Sequence, residues 1–332
     1  MKDYKIKVGV IGFGYWGPNL ARNFNNNPDT QLKWIVDLST DRLKKASLLY
    51  SSVNLTPNFA DVLSDKQTEI VAIATPVTTH FKLAKSALEA GKHVWVEKPL
   101  TVSVREAEEL IEIAEKNQRV LLVDHTFVYT GAVRKIKELI DKGEIGKPIY
   151  YDSTRVNLGL FQPDVNVVWD LAIHDLSIMD FLFNGVEVKK VISAGMKYMN
   201  HSKEAIASIN LYLEDNKYAH INVSWISPVK IRLTLVGGTK KMIVYDDTEP
   251  SEKVKVYDKG IEVIQSSEDL YKIWVQYRTG DMWAPKLDPE EALAVEVRHF
   301  IDCIKNNKKP ITDGVAGLRV VKLLEMVDRS LK

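Results

Sequence analysis

The sequence predicts a two-domain protein: an α/β domain, then an α+β domain built on an open, mostly antiparallel sheet. Up to Asp124, short apolar runs alternate with helical patterns, which marks βαβ units and a parallel sheet. Beyond Asp124, longer strands follow one another through short turns, as an antiparallel sheet requires. At 332 residues the chain also exceeds what one hydrophobic core usually organises.

In the first domain, assigned to residues 1–124, Ile6 to Ile11 is a β-rich run ending in glycines. A helix follows from Trp16 to about Asn26, then a strand from Leu32 to Asp37. Ser39 stands where a helix through Leu49 needs its N-cap. Ile70 to Ala74 is apolar throughout, as a strand covered on both faces should be. The next helix, Thr78 to Glu89, stops at Gly91. Val94–Val96, a helix from Ser103 to Asn117 and Val120–Val123 complete the domain, with a short hinge near Asp124.

The second domain, 125–332, is expected to bind substrate and support oligomerisation. It opens with a helix over Ala132–Lys142 and a strand starting near Ile149. An apolar helix runs from Trp169 to Phe183, and five strands occupy 188–196, 205–213, 218–225, 231–236 and 242–245. Helices over Pro289–Asn306 and Gly314–Ser330 close the chain.

Composition narrows the classes of partner. With 45% hydrophobic and 27% charged residues the chain reads as an ordinary globular protein. A net charge of +1 supplies no field to gather nucleic acid or an anionic membrane. The single cysteine, Cys303, excludes an intrachain disulfide and a multi-cysteine metal site, and suits a reducing compartment. Met1 to Lys7 alternates charged and apolar residues, unlike a signal peptide. No apolar stretch approaches the ~20 residues of a membrane helix. A soluble, cytoplasmic protein is expected.

Gly12-Phe13-Gly14-Tyr15-Trp16-Gly17 is a G-x-G-x-x-G between the first strand and the first helix. Gly12 permits the turn, Gly14 lets backbone approach a pyrophosphate, and Gly17 lets the helix sit close on the strand. The helix start offers unpaired N–H groups and the positive end of its dipole to phosphates. Asp37 ends the second strand, where a carboxylate accepts from an adenosine ribose and repels a 2′-phosphate. Leu38 and Ser39 put no cation beside it, and Arg42 is the nearest, so NAD is the expected cofactor.

Gly91-Lys-His-Val-Trp-Val-Glu-Lys-Pro-Leu100, with Thr75-Pro76 and His80, resembles the Gfo/Idh/MocA oxidoreductases. Asp170-Leu-Ala-Ile-His174 and Pro310-Ile-Thr-Asp-Gly-Val-Ala-Gly317 extend the resemblance over nearly the whole chain. It implies a Rossmann domain followed by an open sheet domain whose outer face often makes oligomer contacts, here a homodimer or homotetramer. By this match Lys98 touches nicotinamide and substrate, while Thr75, Pro76, His80 and Glu97 contact the cofactor, as do Phe13, Tyr15 and Trp16 of the glycine loop. From the residues alone, Lys98 follows a parallel strand at its carboxyl end, where ligands of open sheets bind. An amine there can stabilise alkoxide character as hydride leaves.

Asp170 and His174 share a helical face, so the carboxylate can orient the imidazole or raise its basicity. A neutral imidazole beside a substrate hydroxyl is a suitable general base. Third and fourth metal ligands are lacking at recognisable spacing, and no metal is expected. Many family members carry an aspartate three residues after the histidine, where this chain has Ser177. That departs from the inositol-dehydrogenase pattern.

Gly14-to-Leu20 and Trp169-to-Ser177 look more like a subgroup that oxidises C3 of a UDP-N-acetylhexosamine, a nucleotide sugar destined for polysaccharide biosynthesis. Related sugar dehydrogenases include some that retain NADH and reoxidise it with a second substrate such as 2-oxoglutarate. Arg155, Asn157 and Gln162 are candidates to read the sugar, and Arg278 to pair with a diphosphate. The same residues admit a nucleotide-sugar 3-ketoreductase, a free-sugar or inositol dehydrogenase, or a non-catalytic NAD-binding regulator.

Overall fold

A computed structural model describes residues 4–159, 161, 165–199, 202–264 and 274–331. The chain forms two compact units, one of Met1–Tyr129 with Glu290–Glu325, the other of Thr130–Pro289 with Met326–Lys332. This departs from the single break expected near Asp124, because the chain returns to its first unit after the second.

The first unit begins with β1 (Ile6–Ile11), α1 (Gly17–Asn26), β2 (Thr30–Val36) and α2 (Thr40–Leu49). Ser39 caps α2, its hydroxyl accepting from Arg42 N–H. A short strand β3 (Asn54–Thr56) and helix α3 (Phe59–Ser64), absent from the sequence reading, come next. Then follow β4 (Thr68–Ile73), α4 (His80–Glu89), β5 (His93–Glu97), α5 (Val104–Lys116) and β6 (Leu121–Asp124). The six strands pair in parallel in the order β3-β2-β1-β4-β5-β6. That order reverses between β1 and β4, which makes a crevice beyond their carboxyl ends the ligand position of a Rossmann fold.

The second unit opens with α6 (Gly131–Asp141), β7 (Pro148–Leu158) and α7 (Ile173–Leu182), the last preceded by a π-helical turn over Val168–Ala172. Long strands β8 (Val188–Lys197), β9 (Glu204–Leu213), β10 (Tyr218–Ser224), β11 (Ile226–Gly238) and β12 (Met242–Asp246) follow. Shorter ones, β13 (Val254–Tyr257), β14 (Gly260–Ile264), β15 (Trp274–Arg278) and β16 (Met282–Trp283), were not foreseen. Eight strands form one sheet in the order β16-β13-β12-β11-β7-β10-β9-β8, and β14 pairs with β15 apart from it. Only β7 and β10 run parallel in that sheet. In β9, Ala205, Ala207, Ile209, Leu211 and Leu213 are buried while the alternate residues are more open, as a sheet with one covered face requires.

Two helices, α8 (Ala292–Asn306) and α9 (Gly314–Leu331), end the chain. Leu293, Val297, Phe300 and Ile301 of α8 join Leu20, Phe24 and Trp95 in the first unit's core. This apolar stripe is why α8 belongs to that unit. Among the described residues no helix is long and apolar enough to cross a membrane.

Candidate active site

The glycine loop lies where β1 meets α1. Gly12 has a φ of +92°, and a Cβ there would meet Ala74 O at 2.7 Å. A Cβ on Gly17 would meet Gly12 O at 2.0 Å, so neither position accepts a side chain. Gly14 differs. Its nearest neighbour would be the Arg42 guanidinium at 3.6 Å, an ordinary contact. No close contact demands a glycine there, and its absent side chain leaves the backbone open to the approach of a phosphate.

The start of α1, like that of α4, is left uncapped. No side chain caps it and its first turn holds no acid, whereas Ser39, Asn58 and Ser103 cap α2, α3 and α5. Pro18 brings no N–H to that turn and the Asn19 N–H turns back to Trp16 O at 2.9 Å, so the positive end of the helix dipole is what the turn offers an anion. Beside the loop, Asp37 is 6% exposed and accepts from Phe13 N–H at 2.7 Å and Ser39 N–H at 2.8 Å. Arg42 approaches the same carboxylate at 3.4 Å. Phe13 therefore spends its amide on Asp37 and its ring in the core. Tyr15 is exposed, Trp16 half-buried, and their rings stack at 6.4 Å. These residues fit a dinucleotide: a cradle kept open, a helix start without an acid, and a carboxylate just after β2.

Lys98 follows β5 at the same edge of the sheet and is half-exposed. Thr75 and Pro76 follow β4, partly and fully exposed respectively. His80 corrects an expectation. At 1% exposure its ring cannot line a cofactor surface, and its nitrogens instead lie 2.8 Å from Pro99 O and Thr75 O. It fastens the turn holding Lys98 to the turn holding Thr75. Burial lowers its basicity despite those two carbonyls.

In the second unit, α7 is buried from Ile173 to Asp180 except at His174, which is half-buried in the first turn. The π-helical turn directly before it is a departure that helices often make at functional positions. Asp170 lies in that turn, and its Oδ2 accepts from the Trp225 indole at 2.9 Å. Trp225 was not foreseen, since its partner is 55 residues away in sequence. Ser177 is 4% exposed and bonds back to His174 O at 2.8 Å, which fits a residue facing the helix rather than a ligand.

The expected sugar readers fare differently. Arg155 is 3% exposed and clasps Asp175 through Nε–Oδ2 at 2.7 Å and Nη2–Oδ1 at 3.3 Å. Its guanidinium is committed inside the unit, so it anchors α7 to β7 rather than reading substrate. Arg278 is likewise engaged, with the Asp258 carboxylate and with Lys240 O, and closes a β-turn region instead of awaiting a diphosphate. Asn157 is half-buried near the end of β7. Gln162 lies outside the described residues.

A dinucleotide-binding Rossmann unit with a lysine at its switch edge, joined to a sheet unit carrying an accessible histidine, defines a nicotinamide-dependent oxidoreductase. Residues 6–125 match "Oxidoreductase family, NAD-binding Rossmann fold", and residues 137–332 match "Oxidoreductase family, C-terminal alpha/beta domain". The chain belongs to the Gfo/Idh/MocA oxidoreductase family, and its cofactor is NAD.

Among its relatives is the UDP-N-acetylglucosamine 3-dehydrogenase of Acidithiobacillus ferrooxidans, 26% identical, covering 95% of this chain and 94% of the relative. The scyllo-inositol 2-dehydrogenase (NAD(+)) of Bacillus subtilis is 24% identical over 94% of this chain and 90% of its own. The solved structure of the Acidithiobacillus enzyme superposes with a TM-score of 0.84 at 24% identity, covering 98% of each chain. GenD2 from gentamicin A biosynthesis, solved with NAD, gives 0.82 at 20%, covering 99% of this chain and 94% of that one.

Proposed function

We propose that the protein oxidises the C3 hydroxyl of a nucleotide-linked sugar, UDP-N-acetylglucosamine or its uronic acid, with NAD as hydride acceptor. The observation that carries the chemistry is Lys98, half-exposed at the carboxyl end of β5 and set in a turn that His80 fastens. The choice of sugar leans on the Acidithiobacillus dehydrogenase, which is similar over nearly the full length of both chains. Ser177, in place of the aspartate of the polyol pattern, favours it over inositol.

In this reading His174 accepts the proton of the C3 hydroxyl as general base. Lys98 donates a hydrogen bond to the same oxygen, stabilising the negative charge that grows as the C3–H bond breaks. NAD, when bound, would supply the acceptor for the C3 hydride, so that the oxidation would leave a ketone at C3. Asp170 serves as a positioning group for the π-helical turn that presents His174, through its bond to Trp225. The glycine loop and Asp37 hold the adenosine diphosphate half of the cofactor. Self-association as a dimer or tetramer belongs to the same proposal, since the second unit's sheet leaves Ile192, Met196 and Tyr212 exposed.

A single-turnover assay tests this reading. Concentrated enzyme with NAD should reduce the nicotinamide in a burst with UDP-N-acetylglucosamine or its uronic acid. Lys98→Met should lower that rate by roughly 10²–10³-fold, the usual cost of removing one preorganised donor. Full activity in Lys98→Met would remove the lysine from the mechanism. Silence with both nucleotide sugars and a burst with scyllo-inositol would transfer the assignment to a polyol.

A further inference from the structure

The carboxyl ends of β5 and β6 carry buried acids that hydride transfer does not use. Glu97 and Asp124 are register partners at the last positions of these strands. Glu296, from α8, is 0% exposed and lies against Asp124. The donors are unevenly shared. Asp124 receives the Trp16 indole at 3.2 Å, the Trp95 indole at 3.3 Å and the Thr126 hydroxyl. Neither carboxyl oxygen of Glu296 has a hydrogen-bond partner, nor has Oε1 of Glu97, and all three atoms are buried.

That distribution places the protons. Three donors serve Asp124, while the unpartnered oxygens of Glu97 and Glu296 gain a bond when those acids keep a proton and offer it to Asp124. Burial first, then the neighbouring Asp124 carboxylate, push Glu97 and Glu296 well above the ordinary glutamic acid range. The Lys98 ammonium opposes this at Glu97 only. Other titratable groups facing the cluster are His125 and Tyr129 after β6, His80 behind Lys98, and His299 one turn along α8. His125 is 2% exposed with neither ring nitrogen bonded, and burial pulls it down to about 4, so it stays neutral. Burial likewise keeps Tyr129 protonated. Burial thus favours the protonated form of the two glutamic acids. Among the described residues no three His, Cys, Asp or Glu side chains are placed to hold a metal ion.

Two links join the cluster to the residues read as holding the cofactor. Trp16, whose indole bonds Asp124, belongs to the glycine loop, and Glu97 immediately precedes Lys98. The nicotinamide of NAD+ carries a positive charge that NADH lacks. We propose that Glu97, Asp124 and Glu296 form a proton-sharing cluster that responds to this charge, giving up a proton when NAD+ binds and retaining it when NADH binds. The proposal rests on the reading that places nicotinamide beside Lys98. Its consequence is that the oxidised and reduced cofactors bind with different pH dependence, NAD+ gaining affinity as pH rises.

Calorimetric titration of the full-length protein with NAD+ and with NADH, in two buffers of different ionisation enthalpy, counts the protons released. The wild type should release a sizeable fraction of one proton more with NAD+ than with NADH. Glu296→Gln should shrink that difference, Glu97→Gln should shrink it too, and His174→Gln should leave it unchanged. Equal counts for the two nucleotides in the wild type would overturn the proposal, without need of any variant. So would a difference lost in His174→Gln but kept in both glutamine variants. The infrared carbonyl band of a protonated carboxyl, in cofactor-free protein at neutral pH, checks the cluster separately. Its absence would overturn the proton assignment while leaving the dehydrogenase reading intact. Failure to bind either nucleotide would remove both.

Discussion

Single residues of the glycine loop carry separable duties. Gly17 has no room for a Cβ, because Gly12 O would lie 2.0 Å away, whereas Gly14 has ordinary clearance of 3.6 Å to Arg42. Gly14→Val should therefore leave the melting temperature nearly unchanged and weaken NAD binding at least about tenfold, ~1.4 kcal/mol. Gly17→Val should unfold the first unit. Nucleotide fluorescence titration and thermal melts on both variants separate the outcomes. A Gly14→Val protein with native affinity would show that the loop does not face the pyrophosphate.

Elements are held by contacts that span long stretches of chain. The buried Arg155–Asp175 pair joins β7 to the first turn of α7, next to His174. Removing one partner of such a pair strands the other, at a cost of about 3–5 kcal/mol. Arg155→Met should lower stability by that order, and Arg155→Met/Asp175→Leu should regain much of it, measured by denaturant unfolding. If His174 needs α7 fixed, the double variant recovers stability without recovering turnover.

At this scale the sequence was also most unevenly legible. The strand before the glycine loop, the helix cap at Ser39 and Lys98 at a strand end could all be read from local pattern, which period and capping chemistry fix. The fates of Arg155, Arg278 and His80 could not, because each depends on a partner chosen by the tertiary fold. The exposed-looking polarity of Arg155 in a β-strand gives no sign of Asp175 twenty residues on. Glu296 did leave a sign: an acid between Val295 and Val297 on a helix whose neighbouring face is apolar. Short β3, α3 and β13 to β16 lacked enough residues to establish a period.

The whole molecule should respond to pH from two directions. His93 is half-buried and His125 buried, and burial draws both down to about 4. An unfolded chain protonates them near 6.5, so the stability they confer is fully present above that value and lost as pH falls toward 4. Glu97 and Glu296 act oppositely. Their pKa values are raised in the folded state, so their contribution is present below about 4.3 and is lost as pH climbs through the folded values. Glu296→Gln should consequently be more stable than wild type, by a margin that grows from pH 5 to pH 8 in thermal melts. A margin that stays constant over that range would mean Glu296 is ionised in the native protein.

The central claim is hydride transfer from C3 of a nucleotide sugar to NAD. Its most direct test uses UDP-N-acetylglucosamine and its uronic acid, each deuterated at C3, incubated with the enzyme and NAD, followed by mass analysis of the nicotinamide formed. We predict NADH carrying one deuterium from one of these sugars, with a ketone left at C3. Unlabelled NADH would place the oxidation at another carbon, and no NADH from either sugar would contradict the assignment of a nucleotide-sugar substrate.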